Sequence, residues 1–137
     1  MTAVNAAKGR CACGAVSYSV DGPLRGVYNC HCSWCRRVSG HFTAATQVAL
    51  SDFTLVGEDA LRWWSPNEDD EYGFCSTCGG TVLWRSTAYP DRISIFAGSL
   101  DPPTGLSTVS VGFAEYASDY HRLDESLPTS PPIPRDR

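Results

Sequence analysis

Short stretches of the chain alternate apolar and polar side chains with a period of two. In AVSYSV, Val16, Tyr18 and Val20 alternate with Ser17 and Ser19, the pattern of a half-buried strand. FTAATQVAL, FTLV, LRWW, TVLWRS and RISIFAG follow, rich in β-branched and aromatic residues and parted by Gly, Pro, Asp or Ser. Asp21-Gly22-Pro23 and Ser65-Pro66-Asn67 supply turns. No stretch sustains a helical period. The pattern therefore predicts a mostly β fold of short antiparallel strands, with a single turn or short helix around Ser33–Val38.

A length of 137 residues sets one domain with one modest core. Residues 1–8 read as a flexible start, 9–128 as the domain, and the Pro-rich end 129–137 as a disordered tail. No apolar run approaches the ~20 residues of a membrane span, so no membrane partner is expected. The opening MTAVNAAKGR lacks the basic-then-apolar layout of an export signal, which points to a cytoplasmic address. The formal charge is −4, Lys8 is the single lysine, and the arginines are scattered apart from Arg36 and Arg37. A nucleic-acid binder needs clustered cations to neutralise phosphates, so that class is excluded and small molecules fit better.

The seven cysteines change this picture most. In a reducing compartment they favour metal binding or catalysis over disulfides, and an odd number cannot pair completely. They fall in three groups: Cys11 and Cys13 before Gly14, then Cys30, Cys32 and Cys35, then Cys75 and Cys78 before Gly79. Two sulfurs with two residues between them can wrap one tetrahedral ion, and the following glycine lets the backbone turn so that N–H groups point at the thiolates. Cys11 and Cys13 finish the same way, so these two pairs from distant segments complete one four-sulfur site. Cys30, Cys32 and Cys35 then form a second site with one position left for water or a substrate atom. Such a site is soft and prefers sulfur. Spacing alone also allows Cys30 and Cys35 to pair with Cys75 and Cys78, or His31 or His41 to close the second site.

The segments GRCACGAVSYSV, CHCSWCRRVSG, GFCSTCGGTVLW and AGSLDPP, with the late LDESLP, run from about Gly9 to Pro128. In this order and at these separations the chain resembles the glutathione-dependent formaldehyde-activating enzyme family, whose zinc-binding domain is shared with centromere protein V. The resemblance implies a mostly β, zinc-stapled fold of the Mss4-like kind with two zinc ions per chain. It assigns Cys11, Cys13, Cys75 and Cys78 to a structural zinc, and Cys30, Cys32 and Cys35 to a second zinc associated with activity. The implied activity is that of a carbon–sulfur lyase acting on a thiol–aldehyde adduct such as S-(hydroxymethyl)glutathione. Its partners would be a small thiol such as glutathione and formaldehyde or another small aldehyde. Val111 and Tyr120 stand where the family often has a histidine and a tryptophan. The stretch DEYGF, with Glu71, is acidic where many relatives are basic, which opens the site to a different thiol.

Arg36 and Arg37 follow the open site directly and could clamp a substrate carboxylate; the plain alternative is an ion pair with residues 68–71 or solvation. Ser39 is a turn former that could also touch a sulfur or a ligand, and His41 would suit proton transfer. An enzyme binding its thiol at the open site is one expectation. The alternative is a non-catalytic, zinc-stapled binding module with a closed second site and an exposed apolar patch.

Overall fold

The computed structural model describes residues 6–129. The chain opens with strands β1 (Ala6–Arg10), β2 (Ser17–Asp21) and β3 (Val27–Cys30), then the single helix α1 (Ser33–Ser39). Strands β4 (Thr43–Ala49), β5 (Phe53–Val56), β6 (Leu61–Trp64) and β7 (Asp70–Cys75) follow. The last three are β8 (Thr81–Ser86), β9 (Arg92–Phe96) and β10 (Thr108–Gly112). The alternating stretches around β2, β4, β5, β6, β8 and β9 and the short helix lie where their patterns place them.

The strands form a small sheet, β1-β2-β5, and a large one, β10-β3-β4-β9-β8-β7-β6. All their pairings are antiparallel except β10 on β3, which is parallel. That exception differs from the all-antiparallel expectation. It is possible because a long connection, 97–107, carries the chain back before β10 begins. The mostly β architecture of short antiparallel strands holds for the rest.

The period of two divides the large sheet into two faces. Val48, Ile93, Ile95 and Leu83 point to one face and pack with Val16, Tyr18 and Val20 of the small sheet in the main core. Their alternates Ala45, Gln47, Ser94 and Phe96 point to the other. There Tyr72 packs with Cys32 and Cys35, flanked by Trp34, Trp84, Phe96 and Phe113. The helix lies against this second face. Its N-cap is Cys32, whose sulfur accepts from the Cys35 N–H, and it ends where Gly40 turns with φ 82° and donates to the Arg36 carbonyl at 2.7 Å.

The flexible stretch expected at 1–8 needs correction over residues 6–8. Ala6, Ala7 and Lys8 pair with Asp21, Val20 and Ser19, and the Lys8 carbonyl accepts from Asp101 N–H at 2.8 Å. Residues 1–5 lie outside the described residues. At the other end Thr129 still bridges Val111, while 130–137, most of the expected tail, also lie outside them.

Gly9 of β1 is closely packed: an added Cβ would sit 2.2 Å from Tyr18 Oη and 2.5 Å from the Ser99 carbonyl oxygen. The backbone cannot move aside without breaking the β1–β2 register. Gly9→Ala should therefore lower unfolding stability by about 1–3 kcal/mol, the range for overpacked interiors, as read from a denaturant midpoint.

Candidate metal centres

The first cluster joins the two sheets. Cys11 and Cys13 lie in the turn after β1; Cys75 ends β7 and Cys78 lies in the turn before β8. Their four sulfurs lie within 4.8 Å of one another, with Cys13 at 3.7 Å from both Cys11 and Cys75. A disulfide would need about 2.05 Å. A tetrahedron with metal–sulfur bonds of about 2.3 Å has edges of roughly 3.8 Å, which these separations match.

Backbone N–H groups point at the sulfurs: Val16 at Cys11 (3.3 Å), Ala15 at Cys13 (3.5 Å) and Thr77 at Cys75 (3.3 Å). Each turn is completed by a glycine at positive φ, Gly14 at 83° and Gly79 at 76°. The Gly80 N–H, then that of Cys13, pulls the Cys78 thiol down to about 6. Cys13 goes the other way, to about 11: the Ala15 N–H favours its thiolate, but desolvation and the neighbouring sulfurs outweigh it. Four thiolates in this space repel one another, and a shared soft cation removes that repulsion. The donor set fits zinc.

The second cluster lies on the other face of the large sheet. Cys30 ends β3, Cys32 caps α1, and Cys35 is in the first turn of the helix. The three sulfurs lie within 4.8 Å of one another, and among the described residues no fourth Cys, His, Asp or Glu joins them. Hydrogen bonding to Cys32 and Cys35, with burial, pushes the Cys30 thiol far up, again because three crowded sulfurs need a cation before all can ionise. Tyr72 Oη lies 3.2 Å from Cys35 Sγ.

The histidines do not close this cluster. His31 is 2% exposed, packed against Phe42 and His121 with ring centroids at 4.8 and 5.3 Å. The His41 ring meets Tyr120, Nδ1 to Oη at 3.0 Å.

In front of the three sulfurs opens a cavity of about 620 Å³, walled by Tyr28, Tyr72, Trp84, Phe96 and Phe113. Phe113 holds its place with φ 53°, a left-handed conformation that costs a non-glycine residue on the order of 1–3 kcal/mol. Strain of this kind persists where packing over-determines it.

Arg36, Arg37 and Ser39 do not line the cavity. Arg37 is exposed and Arg36 half-buried, its Nε without a hydrogen-bond partner among the described residues. Ser39 Oγ donates to the Cys35 carbonyl at 2.7 Å and accepts from His41 N–H, so it closes the helix. The arginines that line the cavity are Arg25 and Arg92, which sequence reasoning missed. The signal for Arg92 was available, since RISIF puts Arg92, Ser94 and Phe96 on the face opposite Ile93 and Ile95. Val111, Tyr120 and Glu71 are also absent from the cavity wall; Val111 is buried, and Glu71 is paired with Arg85 at 2.8 Å. No helix among the described residues is long and apolar enough to cross a membrane.

Comparison with known proteins agrees with this architecture. A protein of Halomonas elongata, provisionally named as a glutathione-dependent formaldehyde-activating enzyme, is 29% identical over 102 residues. The match covers 69% of this chain and 65% of that relative, so the chain spans less than two thirds of its length. The crystal structure of a Rhodobacter sphaeroides protein, a structural-genomics target, superposes with a TM-score of 0.60 at 29% identity, covering 69% of this chain and 88% of the other. The family model described as glutathione-dependent formaldehyde-activating enzyme matches residues 6–115, most of the chain and both cysteine clusters, and the chain belongs to that family.

Proposed function

We propose that this chain is a zinc-dependent carbon–sulfur lyase-like enzyme that makes or cleaves the adduct of a small thiol and an aldehyde, with glutathione and formaldehyde as the reference pair. Cys11, Cys13, Cys75 and Cys78 hold a structural zinc, and Cys30, Cys32 and Cys35 hold a second. The observation that carries this reading is a three-sulfur cluster at the wall of a 620 Å³ cavity, with no fourth protein ligand among the described residues. When bound there, zinc supplies a fourth coordination position for a substrate sulfur and favours its thiolate at neutral pH.

The chain's own groups supply the remainder. In the synthetic direction a carbon–sulfur bond forms between thiol and carbonyl carbon, the carbonyl π bond breaks, and the oxygen takes up a proton; cleavage is the reverse. Neither direction needs an oxidant. The aromatic walls exclude water and hold the adduct against the sulfurs. The Tyr72 hydroxyl donates toward Cys35 Sγ at 3.2 Å, spreading the negative charge of the sulfur cluster.

The two clusters should respond differently to mutation. Metal analysis should find two zinc ions per chain. Cys75→Ser should unfold the protein by circular dichroism, because a structural zinc contributes on the order of 10–16 kcal/mol, as much as a small domain's whole stability. Cys32→Ser should lose one zinc and keep its fold. A single zinc in the wild type, or unfolding by both variants alike, would overturn the division of roles.

Tyr72→Phe should keep the fold and weaken zinc at the second site by about tenfold in a chelator competition. Unchanged affinity would remove Tyr72 from the account.

Calorimetric titration of glutathione into the zinc-loaded protein should release heat and protons, and both should vanish in Cys32→Ser. No response to any thiol would favour a zinc-stapled binding module without chemistry.

A further inference from the structure

The cavity has two chemically different ends. The sulfur cluster marks one. At the other stand Arg25 and Arg92, and among the described residues no aspartate or glutamate lines the space between. In a chain with fifteen acidic residues and a net charge of −4, that separation of charge needs a reason. The Arg85 guanidinium is paired with Glu71, but among the described residues no ion pair is found for Arg25 or Arg92.

Arg25 is held as a preorganised donor. Its Nε donates to the Gly26 carbonyl at 3.2 Å and its Nη2 to the Ala45 carbonyl at 3.0 Å. Its guanidinium carbon lies 3.6 Å from the centroid of the Tyr28 ring. Two of the five N–H groups are thus engaged and three remain, both on Nη1 and one on Nη2, which can meet a carboxylate end-on. The group is partly desolvated by burial and lies in the field of Arg92, so an incoming anion relieves a standing repulsion. Little side-chain entropy is left to lose on binding.

Strand register sets the backbone offset between the ends. Cys30 pairs with Thr43 and Tyr28 with Ala45, while Arg25 N–H bonds the Gln47 carbonyl at 3.1 Å. The guanidinium reaches back to Ala45, two residues along β4 from the rung of Cys30, or about 7 Å at the ~3.4 Å rise of an antiparallel strand.

We propose that Arg25, backed by Arg92, is the specificity-determining anchor for a substrate carboxylate, so that the site selects thiols whose carboxylate lies about 7 Å or more from the sulfur. This rests on the sulfur end being the thiol site. It names a substrate class that includes glutathione and excludes neutral thiols and short mercapto acids such as mercaptoacetate.

The test compares ligands on the zinc-loaded full chain. Glutathione should bind roughly 10- to 100-fold more tightly than its dimethyl ester, the range expected for charge-assisted hydrogen bonds. In Arg25→Met the two should bind alike, Arg25→Lys should restore part of the difference, and mercaptoethanol and mercaptoacetate should be unaffected by either substitution. Arg92→Met, at an exposed position, should narrow the difference without abolishing it. Should the Arg25 variants fail to fold, the acid-against-ester comparison on the wild type and Arg92→Met carries the test alone.

S-methylglutathione separates this proposal from the reading beneath it. If glutathione and S-methylglutathione bind alike, yet both are weakened by Arg25→Met, the anchor stands and the thiol site falls. Equal binding of acid and ester to the wild type, or equal weakening of mercaptoethanol and glutathione by Arg25→Met, would overturn the anchor.

Discussion

Each strand of the large sheet sends alternate side chains to opposite faces, and the chain has enough apolar mass to cover only one of them with a second sheet. On the covered face Ile93, Ile95, Leu83 and Val48 meet Val16, Tyr18 and Val20 and exclude water. Burying a side chain of that size contributes about 1.5–3 kcal/mol each, so this face dominates stability. The other face has a seven-residue helix and a few aromatic rings, which leaves a cavity. The candidate reaction site is where the second layer is missing.

The four-sulfur cluster sits at the edge of that core, with Cys11 and Cys75 buried in it and Cys13 exposed. β1 belongs to the small sheet and β7 to the large one, and no strand of one sheet pairs with a strand of the other among the described residues. A cation shared by Cys11, Cys13, Cys75 and Cys78 would fasten the end of one sheet to the other. The three-sulfur cluster makes no such link, since its ligands come from β3 and the adjoining helix. The layout therefore separates a group that could hold the fold from one that could be perturbed by a substrate without loosening it.

Local pattern made much of this readable. Alternation in β2, β4, β8 and β9 marked both strands and faces, and the cysteine spacings marked which sulfurs could gather. β1 and β7 were hidden because AAKGR lacks branched residues and DEYGFC begins with two acids and carries a glycine; VYNC in β3 is too short to show a period. β10 did carry a signal, Val109 and Val111 in TVSVG. Arg36 and Arg37 were chosen for their nearness to Cys35 in sequence. On a helix each residue turns about 100° from the last, so with Cys35 facing the sheet Arg36 lies at the flank, half-buried, and Arg37 faces solvent. Arg25 and Arg92 come together only through non-local strand pairing, which no local window displays.

The same pairing governs how charge acts at the site. The acidic surface would repel an anionic thiol at long range, but beyond about 8 Å physiological salt screens most of that field. Inside the cavity the balance is local. Glu71, the acid closest in sequence to the cavity tyrosine, Tyr72, is occupied by Arg85 and points away, while the Arg25 guanidinium is partly shielded from solvent by Tyr28. A cation in such surroundings attracts a partner several times more strongly than one in open water. Overall charge therefore says little about the ligand this site would accept; the two arginines, and the absence of carboxylates along the wall among the described residues, say more.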